Sequence, residues 1–402
     1  VCCITLELIF LKTSKNSIHL GLNMLSKRKI ILIIAKCALL LPLCFLIYIV
    51  ASLAHATITD YAPPEITELT IDGHSTQRII SNPNLTFLSW NIGFAGLGAK
   101  SNFYYDSNHS FFFTDGKMVR VPESYVSENL MGIRNFLDNH RTDFILLQEV
   151  DKRSKRSYFK DHDALFLEDL KDYSHSFSLN YQVGRVIIPA LQPWNAYGMV
   201  ESGLSSYSKY KPGTSTRYQY PGKYDWPDYL FHLDRCMSVQ RYQTTQKMGK
   251  DLVVINTHNS AYDNGKLKSK EMAYLKDFLL REYQEGNYVI VGGDWNQSPP
   301  KVSYEEVSRA GGVAPISLNH PTNITTDFMP KDWKWAYDKT VPTCRSVADT
   351  LDYGVTPVSL IDFYLVSPNI EIVSVEGKNL KFEHSDHNPV LMTLRLSDFE
   401  TK

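Results

Sequence analysis

Carboxylate, amide and imidazole side chains recur in this chain where short apolar stretches begin or end. A rigid sheet holds several side chains at one edge, so strand ends in α/β proteins are where binding and catalytic sites are built. We therefore treat the polar residues at these positions as one candidate site. They are Asn91, Glu149, His258, Asp294, Asn296, Asp362, Asp386 and His387.

The oxygen ligands among these residues predict a site for a hard divalent cation. Asn91, Glu149 and Asp386 offer amide and carboxylate oxygens, which Mg²⁺ prefers, with Mn²⁺ as an alternative. A zinc site would require more His or Cys ligands. A cation beside positioned His and Asp groups suits hydrolysis of a phosphate ester. In that reaction Asp294 can orient or deprotonate water, and a histidine can act on the leaving group or the developing charge.

Each of these residues, taken alone, also has an ordinary structural explanation. Glu149 can form a salt bridge, because a buried unpaired carboxylate is costly. Asn91 can act as a cap or turn residue, and Asp294 and Asn296 follow a Gly-Gly pair, where Asp and Asn suit positive φ. His258 can be a hydrogen-bonded structural histidine. The chemical interpretation therefore depends on whether the folded chain brings the residues together.

Alternating strand and helix patterns predict the scaffold that positions the candidate site. The pattern begins near residue 84 and predicts an α/β domain of roughly 320 residues. Apolar residues at helical spacing predict two helices, one through Val126, Leu130, Ile133 and Leu137, the other through Met272, Leu275 and Leu279. Strands are predicted at residues 85–91, 144–150, 251–258, 288–296, 360–367 and 389–396.

The N-terminal segment predicts membrane attachment or export. Lys27, Arg28 and Lys29 precede an apolar stretch, and residues 37–54 carry no charge over about 18 positions, which approaches the length that spans a bilayer. The basic flank predicts that the N-terminal side stays in the cytoplasm, so the expected location is the cell membrane with the catalytic domain outside. A signal peptide cleaved after Ala56, followed by secretion, is the alternative.

These patterns divide the chain into four parts. Residues 1–23 precede Met24 and are expected to be an extension of the gene model. Residues 24–56 form the signal anchor or signal peptide, and residues 57–83 are polar and predict a linker. The catalytic domain is predicted over residues 84–398.

Composition narrows the class of function. The chain has 402 residues, 43% of them hydrophobic, as in ordinary globular proteins. A net charge of −1 is not that of a protein that coats nucleic acid non-specifically. Beyond the apolar segment only Cys236 and Cys344 remain, which permits one disulfide or two separate thiols. We expect a monomer.

Six short motifs follow one another in an order that is typical of one enzyme superfamily. They are "LSWNIGF", "LLQEVD", "INTHNSA", "GGDWNQSP", "LIDFYLVS" and "SDHNPV", within residues 84–397. In order and spacing they resemble the endonuclease/exonuclease/phosphatase superfamily, and the chain looks like its bacterial membrane-anchored members of unassigned substrate. The superfamily includes deoxyribonuclease I-like nucleases, exonuclease III-like enzymes, neutral sphingomyelinases, inositol polyphosphate 5-phosphatases and deadenylases. The resemblance implies a four-layer α/β sandwich, in which two mixed β-sheets are flanked by helices.

The resemblance also implies roles for the residues that match its motifs. Asn91, Glu149 and Asp386 resemble metal ligands. Asp294 resembles the aspartate that activates water, and His258 resembles the histidine near the leaving group.

The remaining matches concern the phosphate and the orientation of a histidine. Asn296 resembles the asparagine that hydrogen-bonds the phosphate, and His387 the histidine that acts on the phosphate or water. Asp362 resembles the carboxylate that orients a histidine, and Arg235 falls where some members carry a phosphate-contacting arginine. Gly93 departs from exonuclease III-like members, which usually have an acidic residue at that position.

Several substrate classes are consistent with the sequence. The leading expectation is a Mg²⁺-dependent phosphodiesterase acting on nucleic acid, because tyrosines and cations interleave over residues 207–231 and could stack bases and hold phosphates. The same segment could lie on a membrane, which favours a sphingomyelinase-like enzyme acting on a phospholipid headgroup, or it could be a loop without a ligand. Residues 101–118 have the same ambiguity. A small-molecule phosphatase and a non-catalytic binding protein on the same fold are further alternatives.

Overall fold

The computed structural model describes residues 27–107, 111–245, 249–261, 265–313 and 321–397. The chain forms two compact units, Val1–His55 and Ala56–Lys402. The predicted extension over residues 1–23 lies outside the described residues. Helix α1 (Lys27–Ile58) is apolar and long enough to cross a membrane, and signal sequences share both properties.

The second unit alternates strands with helices. After α1 the described helices are α2 (Tyr104–Ser107), α3 (Glu123–Asn139), α4 (His162–Asp169), α5 (Lys266–Gln284) and α6 (Tyr304–Ala310). In chain order the described strands are β1 (Ile66–Glu68), β2 (Asp72–Gly73), β3 (Ile79–Ile80), β4 (Asn84–Asn91), β5 (Phe144–Asp151), β6 (Ser174–Val186), β7 (Gly198–Ser208), β8 (Thr214–Gln219), β9 (Cys236–Thr244), β10 (Asp251–His258), β11 (Tyr288–Asp294), β12 (Lys334–Ala336), β13 (Cys344–Arg345), β14 (Val358–Ser359), β15 (Asp362–Val366), β16 (Ile370–Gly377) and β17 (Val390–Leu396).

Two large mixed sheets form the centre of this unit. The first sheet has the order β1-β8-β9-β10-β11-β15-β12, with β3 beside β9, and the second has the order β16-β17-β4-β5-β7-β6-β2. One apolar core lies between the sheets, a second packs α5 against the first sheet, and a third packs α3 and α4 against the second sheet. The predicted four-layer α/β sandwich is therefore confirmed.

Strand alternation explains why each sheet can bury both faces. On β10, Leu252 and Val254 enter the core between the sheets, whereas Val253 and Ile255 enter the core against α5. Successive side chains of a strand point to opposite faces, so a strand that is apolar at every position is buried on both sides. The continuous apolar runs in the sequence are therefore the central strands.

Short strands also occupy part of the segment that the sequence predicts as a linker. Ile66 pairs with Tyr218 of β8, and Asp72 pairs with His175 of β6. The edge strands of a sheet leave backbone N–H and C=O groups unpaired, and short segments can add there. Residues 66–80 therefore belong to the body of the unit, which corrects the linker prediction for that part of residues 57–83.

The segment predicted as a substrate loop includes strand residues in its first half. The buried Tyr207 donates its hydroxyl hydrogen to Asp163 Oδ1 at 3.0 Å. The hydroxyl of Tyr220, also buried, forms a hydrogen bond of 2.7 Å with Thr257 Oγ1. A tyrosine can be buried when its hydroxyl finds a partner, and tyrosine and threonine favour strands. The prediction of a continuous loop over residues 207–231 is therefore wrong, because its first half forms β8 and the end of β7.

Cys236 and Cys344 are separate thiols.

A pair of amide side chains joins the two sheets close to one edge of their shared core. Gln148 Nε2 donates to Asn256 Oδ1 at 2.8 Å, and both side chains are fully buried. Asn256 Nδ2 donates in turn to the backbone oxygens of Leu147 and Ser205, at 3.1 and 3.2 Å. These contacts, which we call the cross-sheet amide pair, bind β10 of the first sheet to β5 and β7 of the second.

Removing one side chain of the cross-sheet amide pair should lower the free energy of unfolding. Asn256→Ala removes the shortest hydrogen bond of the buried Gln148 amide, which keeps only the longer contacts to Leu146 O at 3.2 Å and Ser89 Oγ at 3.4 Å, and we expect the free energy of unfolding to fall by about 2 kcal/mol. Urea unfolding of Gln148→Ala, Asn256→Ala and the double variant provides the measurement. The double variant should lose less stability than the two single losses combined, because the partners depend on each other. Additive losses would show that the two side chains act independently.

Candidate active site

Three candidate residues lie side by side at the edge of the first sheet. His258 of β10 pairs in register with Asp294 of β11, and Asp294 pairs with Asp362 of β15. Residues directly opposite on neighbouring strands point to the same face of a sheet. An imidazole and two carboxylates, all buried, therefore face the second sheet at the end of the shared core.

A β-bulge turns Glu149 toward this edge. Leu147 pairs with Ser205 of β7 and Val150 pairs with Gly203, so the register shifts between them, and Glu149 has φ of 55°. Without the bulge Glu149 would share the face of Leu147, which packs in the core against the helices. A bulge inserts an extra residue that re-aims a side chain. The Glu149 side chain is consequently 23% exposed, in contact with the other site residues.

Contacts across the two sheets connect the candidate residues. Asn91 Nδ2, at the end of β4, donates to Asp294 Oδ2 at 3.0 Å and to Glu149 Oε1 at 3.2 Å. His258 Nε2 lies 3.4 Å from Asp294 Oδ2 and 4.0 Å from Glu149 Oε1. Asp294 is therefore the point at which residues of both sheets meet.

His387 and Asp362 form a buried hydrogen-bonded pair beside Asp294. His387 Nδ1 lies 2.8 Å from Asp362 Oδ2, and His387 Nε2 lies 3.9 Å from Asp294 Oδ2. Burial opposes a positive charge on His387, but the negative charge of Asp362 and its hydrogen bond outweigh burial, so the pKa of His387 is raised well above its ordinary value. Burial raises the pKa of Asp362 to about 6, against the opposing charge of His387. The pair therefore retains a proton at neutral pH.

Asp386 approaches the site beside Gly93. A Cβ atom at Gly93, where φ is 50°, would lie 2.6 Å from Asp386 Oδ1. Burial raises the pKa of Asp386 to about 7; the positive charge of His387 opposes this shift and the negative charge of Glu149 adds to it. The departure from exonuclease III-like sequences at Gly93 thus has a physical reason, because no side chain fits there.

The two other predicted residues lie at the rim of this cluster. The backbone N–H of Asn296 donates to Asp294 Oδ1 at 2.9 Å, and Asn296 Nδ2 donates to Asn259 O at 2.9 Å. Arg235 Nη1 donates to the backbone oxygen of His258 at 3.5 Å. Burial lowers the pKa of His258 well below its ordinary value, and the positive charges of Arg235 and His387 add to this effect. His258 is therefore a neutral imidazole.

Two supporting residues are absent from the sequence predictions. Arg156 is buried in an ion pair with Asp151, 2.7 Å between Nη2 and Oδ1, and its guanidinium lies 3.9 Å from the centre of the Phe94 ring. Thr343 Oγ1 accepts hydrogen bonds from the backbone N–H groups of Ile361 and Asp362, at 2.9 and 3.0 Å. The Asp151–Arg156 spacing in one loop is a weak local signal for the first, whereas the contact of Thr343 exists only in the fold.

The donor set fits a hard divalent cation. Glu149, Asp294 and Asp386 bring three carboxylates to one edge, and Asn91 adds an amide oxygen once its side chain flips, because its nitrogen now faces the carboxylates and its oxygen accepts from Gly93 N. Burial, and to a lesser extent the negative charge of Glu149, raises the pKa of Asp386, and a bound cation would offset both effects.

A second set of ligand atoms is better explained without a metal. Single ligand atoms of Asp294, Asp362 and His387 lie within 4.8 Å of one another. Asp362 and His387 already hydrogen-bond to each other, however, so this trio is a histidine–aspartate pair beside a third carboxylate.

The His387–Asp362 pair predicts a change in the pH dependence of the enzyme. Asp362→Asn removes the negative charge that raises the pKa of His387, so His387 should lose its proton at lower pH. The alkaline limb of kcat/KM against pH for phosphoester hydrolysis should therefore move to lower pH. Asp349→Asn, at an exposed carboxylate, is the control. An unchanged alkaline limb in Asp362→Asn would contradict the assignment of this limb to His387.

Comparisons with known proteins agree with this architecture. The sequence profile of the Endonuclease/Exonuclease/phosphatase family matches residues 88–387. No curated protein matches the chain in a sequence comparison.

Solved structures with a similar fold include proteins from bacteria and from human. The endonuclease/exonuclease/phosphatase from Beutenbergia cavernae is 16% identical, covering 79% of this chain and 72% of its own, with a TM-score of 0.49. The human Nocturnin catalytic domain with bound sulfate is 16% identical, covering 82% and 98%, with a TM-score of 0.46. The endonuclease/exonuclease/phosphatase from Bacteroides vulgatus is 16% identical, covering 78% and 99%, with a TM-score of 0.43.

The family profile extends from within β4 to His387 and so includes β5 to β16 and every residue of the candidate site. The chain therefore belongs to the Endonuclease/Exonuclease/phosphatase family and is an enzyme of its phosphoester-hydrolase class.

Proposed function

We propose that the protein is a Mg²⁺-dependent phosphodiesterase. The observation that carries this proposal is the meeting of Glu149, Asn91, His258 and His387 around the Asp294 carboxylate. We further propose that α1 anchors the chain in the membrane, with the second unit outside the cytoplasm, on the basis of its length, its composition and the preceding basic residues.

Three residues would hold the cation in this proposal. Glu149 and Asp386 supply carboxylate oxygens, and Asn91 supplies its amide oxygen after the flip described above. When bound, Mg²⁺ would neutralise charge on the phosphoryl oxygens and would be satisfied by these hard oxygen ligands.

Asp294 would act on the attacking water in this proposal. Its Oδ1 accepts a hydrogen bond of 2.9 Å from Asn296 N, which does not depend on the orientation of Asn91, so the carboxylate stays fixed after Asn91 flips. A fixed carboxylate can align a water molecule and accept its proton. In the proposed mechanism Asp294 is therefore the general base.

The two histidines would contact different groups of the substrate, His387 a phosphoryl oxygen and His258 the leaving oxygen. His387 is held by Asp362 and keeps its proton, so Nε2–H can donate to a phosphoryl oxygen. His258 is neutral and can donate Nε2–H to the leaving oxygen without adding charge. Asn296 and Arg235, at the rim, are proposed to contact the phosphate.

Nucleic acid and a phospholipid headgroup are the two candidate diesters. Three of the six interleaved tyrosines that favoured nucleic acid, Tyr207, Tyr210 and Tyr220, are buried, so that support is reduced. A phospholipid headgroup is the second candidate, because a membrane-anchored enzyme has its substrate within reach of the bilayer. The experiment below therefore compares both substrates.

Binding of Mg²⁺ should stabilise the folded protein through Glu149. A ligand that binds only the native state stabilises it by about 2.7 kcal/mol at a hundredfold excess over Kd. We expect Mg²⁺ to raise the Tm of the protein in thermal unfolding and to have little effect on Glu149→Gln. Glu201→Gln is the matched control, because Glu201 lies on the neighbouring strand β7 with a 25% exposed side chain. Equal Tm shifts in both variants would contradict a cation site at Glu149.

Hydrolysis should depend on Asp294 and His387. We expect the protein to cleave bis(p-nitrophenyl) phosphate in Mg²⁺ but not in EDTA, and to act weakly on p-nitrophenyl phosphate. Asp294→Asn and His387→Ala should each lower kcat by at least about 100-fold, the range of general acid–base catalysis, in variants that thermal unfolding shows to be folded at the assay temperature.

The same preparations are then tested on natural diesters. Supercoiled plasmid DNA reports nicking, and phosphatidylcholine and sphingomyelin vesicles report release of the headgroup. Cleavage of the plasmid alone identifies a nuclease, and cleavage of the lipid alone identifies a lipid phosphodiesterase. A folded Asp294→Asn variant with normal turnover on all substrates would overturn the mechanism.

A further inference from the structure

A surface feature near the active site has no role in the proposed chemistry. The loop between β6 and β7, residues 187–197, lies beside residues 111–113, and the two loops are joined by a backbone hydrogen bond of 2.8 Å from Ala190 N to Phe111 O. Turns within the first loop are closed by backbone hydrogen bonds, such as Tyr197 N to Ile188 O at 3.0 Å. We call these two loops the apolar tip.

The apolar tip exposes large hydrophobic side chains. Trp194 is 75% exposed, Phe113 is 54%, Phe112 is 45% and Leu191 is 42% exposed. Residues 187–197 contain no charged side chain. Exposed apolar side chains are normal when scattered singly, but a contiguous group of them indicates a surface that contacts another apolar phase.

Basic side chains contact the backbone of the apolar tip. Arg185 Nη2 donates to Pro193 O at 3.3 Å, and Lys155 Nζ donates to Ala196 O at 3.3 Å. The positive charges of Arg120 and Arg185 both act on Lys155, so three cations are close together. Arg185 is exposed, whereas Lys155 and Arg120 are partly buried.

The apolar tip extends beyond the same edge of the sheet as the candidate site. Val150, next to Glu149, pairs with Gly203, whereas β7 begins at Gly198, five residues nearer the tip. At about 3.4 Å per residue this places the start of β7 about 17 Å farther along the strand than Gly203. The base of the tip is tied to the site, because Tyr197 accepts a hydrogen bond of 2.8 Å from Arg156.

We propose that the apolar tip inserts into the surface of a lipid bilayer that contains anionic phospholipids. Trp, Phe and Leu favour the region between headgroups and acyl chains, and the Lys and Arg side chains at the backbone of the tip would lie near the phosphates. The uncharged, apolar composition of residues 187–197 argues against nucleic acid as the occupant, because a polyphosphate is bound mainly through cations on the contact surface. The inference does not depend on which diester the active site cleaves.

Tryptophan fluorescence can test this proposal in the full-length protein. The chain has six tryptophans, none of them in α1, but Trp226 Nε1 donates to Thr57 Oγ1 near the end of α1 at 3.1 Å. The Trp226→Phe variant below therefore removes the tryptophan signal that insertion of α1 could contribute. The protein is reconstituted in vesicles of phosphatidylcholine with phosphatidylglycerol, in which the acyl chains of the lipids are either plain or brominated. Bromine quenches tryptophans that enter the bilayer, and we expect quenching of the wild-type protein.

Two matched variants assign the quenching to one side chain. Trp194→Phe should lose most of the bromolipid quenching, whereas Trp226→Phe should retain it, although Trp226 is also exposed. Both substitutions keep an aromatic ring on the surface, so neither should disturb the fold, which thermal unfolding checks. Arg185→Glu should weaken the quenching in vesicles that contain phosphatidylglycerol, because it places a negative charge near the phosphates.

The outcomes that overturn the proposal are distinct. Absence of quenching in the wild-type protein, or equal quenching in Trp194→Phe, would show that the tip stays in water. A change in Trp194 fluorescence on addition of a single-stranded oligonucleotide, without bromolipid quenching, would identify the tip as a nucleic-acid surface and overturn the proposal. Neither result bears on hydrolysis of bis(p-nitrophenyl) phosphate, so failure here is separable from failure of the proposed function.

Discussion

The cross-sheet amide pair fixes the distance on which the candidate site depends. Gln148 comes directly before Glu149, and Asn256 comes two residues before His258, so one hydrogen bond of 2.8 Å sets the separation of two site residues from different sheets. Most of the shared core is apolar and non-directional, and the other buried hydrogen bonds between the sheets, such as Tyr364 Oη to Val390 O at 3.0 Å and Ser215 Oγ to Ser176 Oγ at 2.8 Å, do not involve a neighbour of Glu149 or His258. Directional hydrogen bonds in a buried setting specify a single arrangement. The contacts around Asp294 then follow from that arrangement.

Departures from regular backbone geometry concentrate at the same edge. The bulge at Glu149 turns a side chain that would otherwise face the helices, and Gly93 leaves room for Asp386. Both positions have positive φ, which costs a non-glycine residue such as Glu149 free energy and persists only where the surrounding structure enforces it. The fold thus brings four carboxylates together, and in our proposal a bound cation offsets their repulsion.

Local sequence patterns were sufficient for the strands and helices that carry the site, because periodicity and polar strand ends are local properties. The contacts of Asn91, His258, Asp294 and His387 agree with the sequence expectation that these residues meet. The orientation of Glu149 could not be derived in this way, since regular alternation turns its side chain toward the helices. The strands within residues 57–83 and the burial of Tyr207 depend on partners distant in sequence, and local composition does not reveal them.

The most direct test of this account is the Mg²⁺ affinity of a variant of the cross-sheet amide pair. Titration calorimetry would compare Asn256→Ala with Val254→Ala, which shortens a buried side chain on the same strand and the same face. If the pair aligns the two sheets for the cation, Asn256→Ala weakens Mg²⁺ binding and Val254→Ala leaves it close to the wild-type value, even though both lower stability. Equal affinities in the two variants would contradict the account.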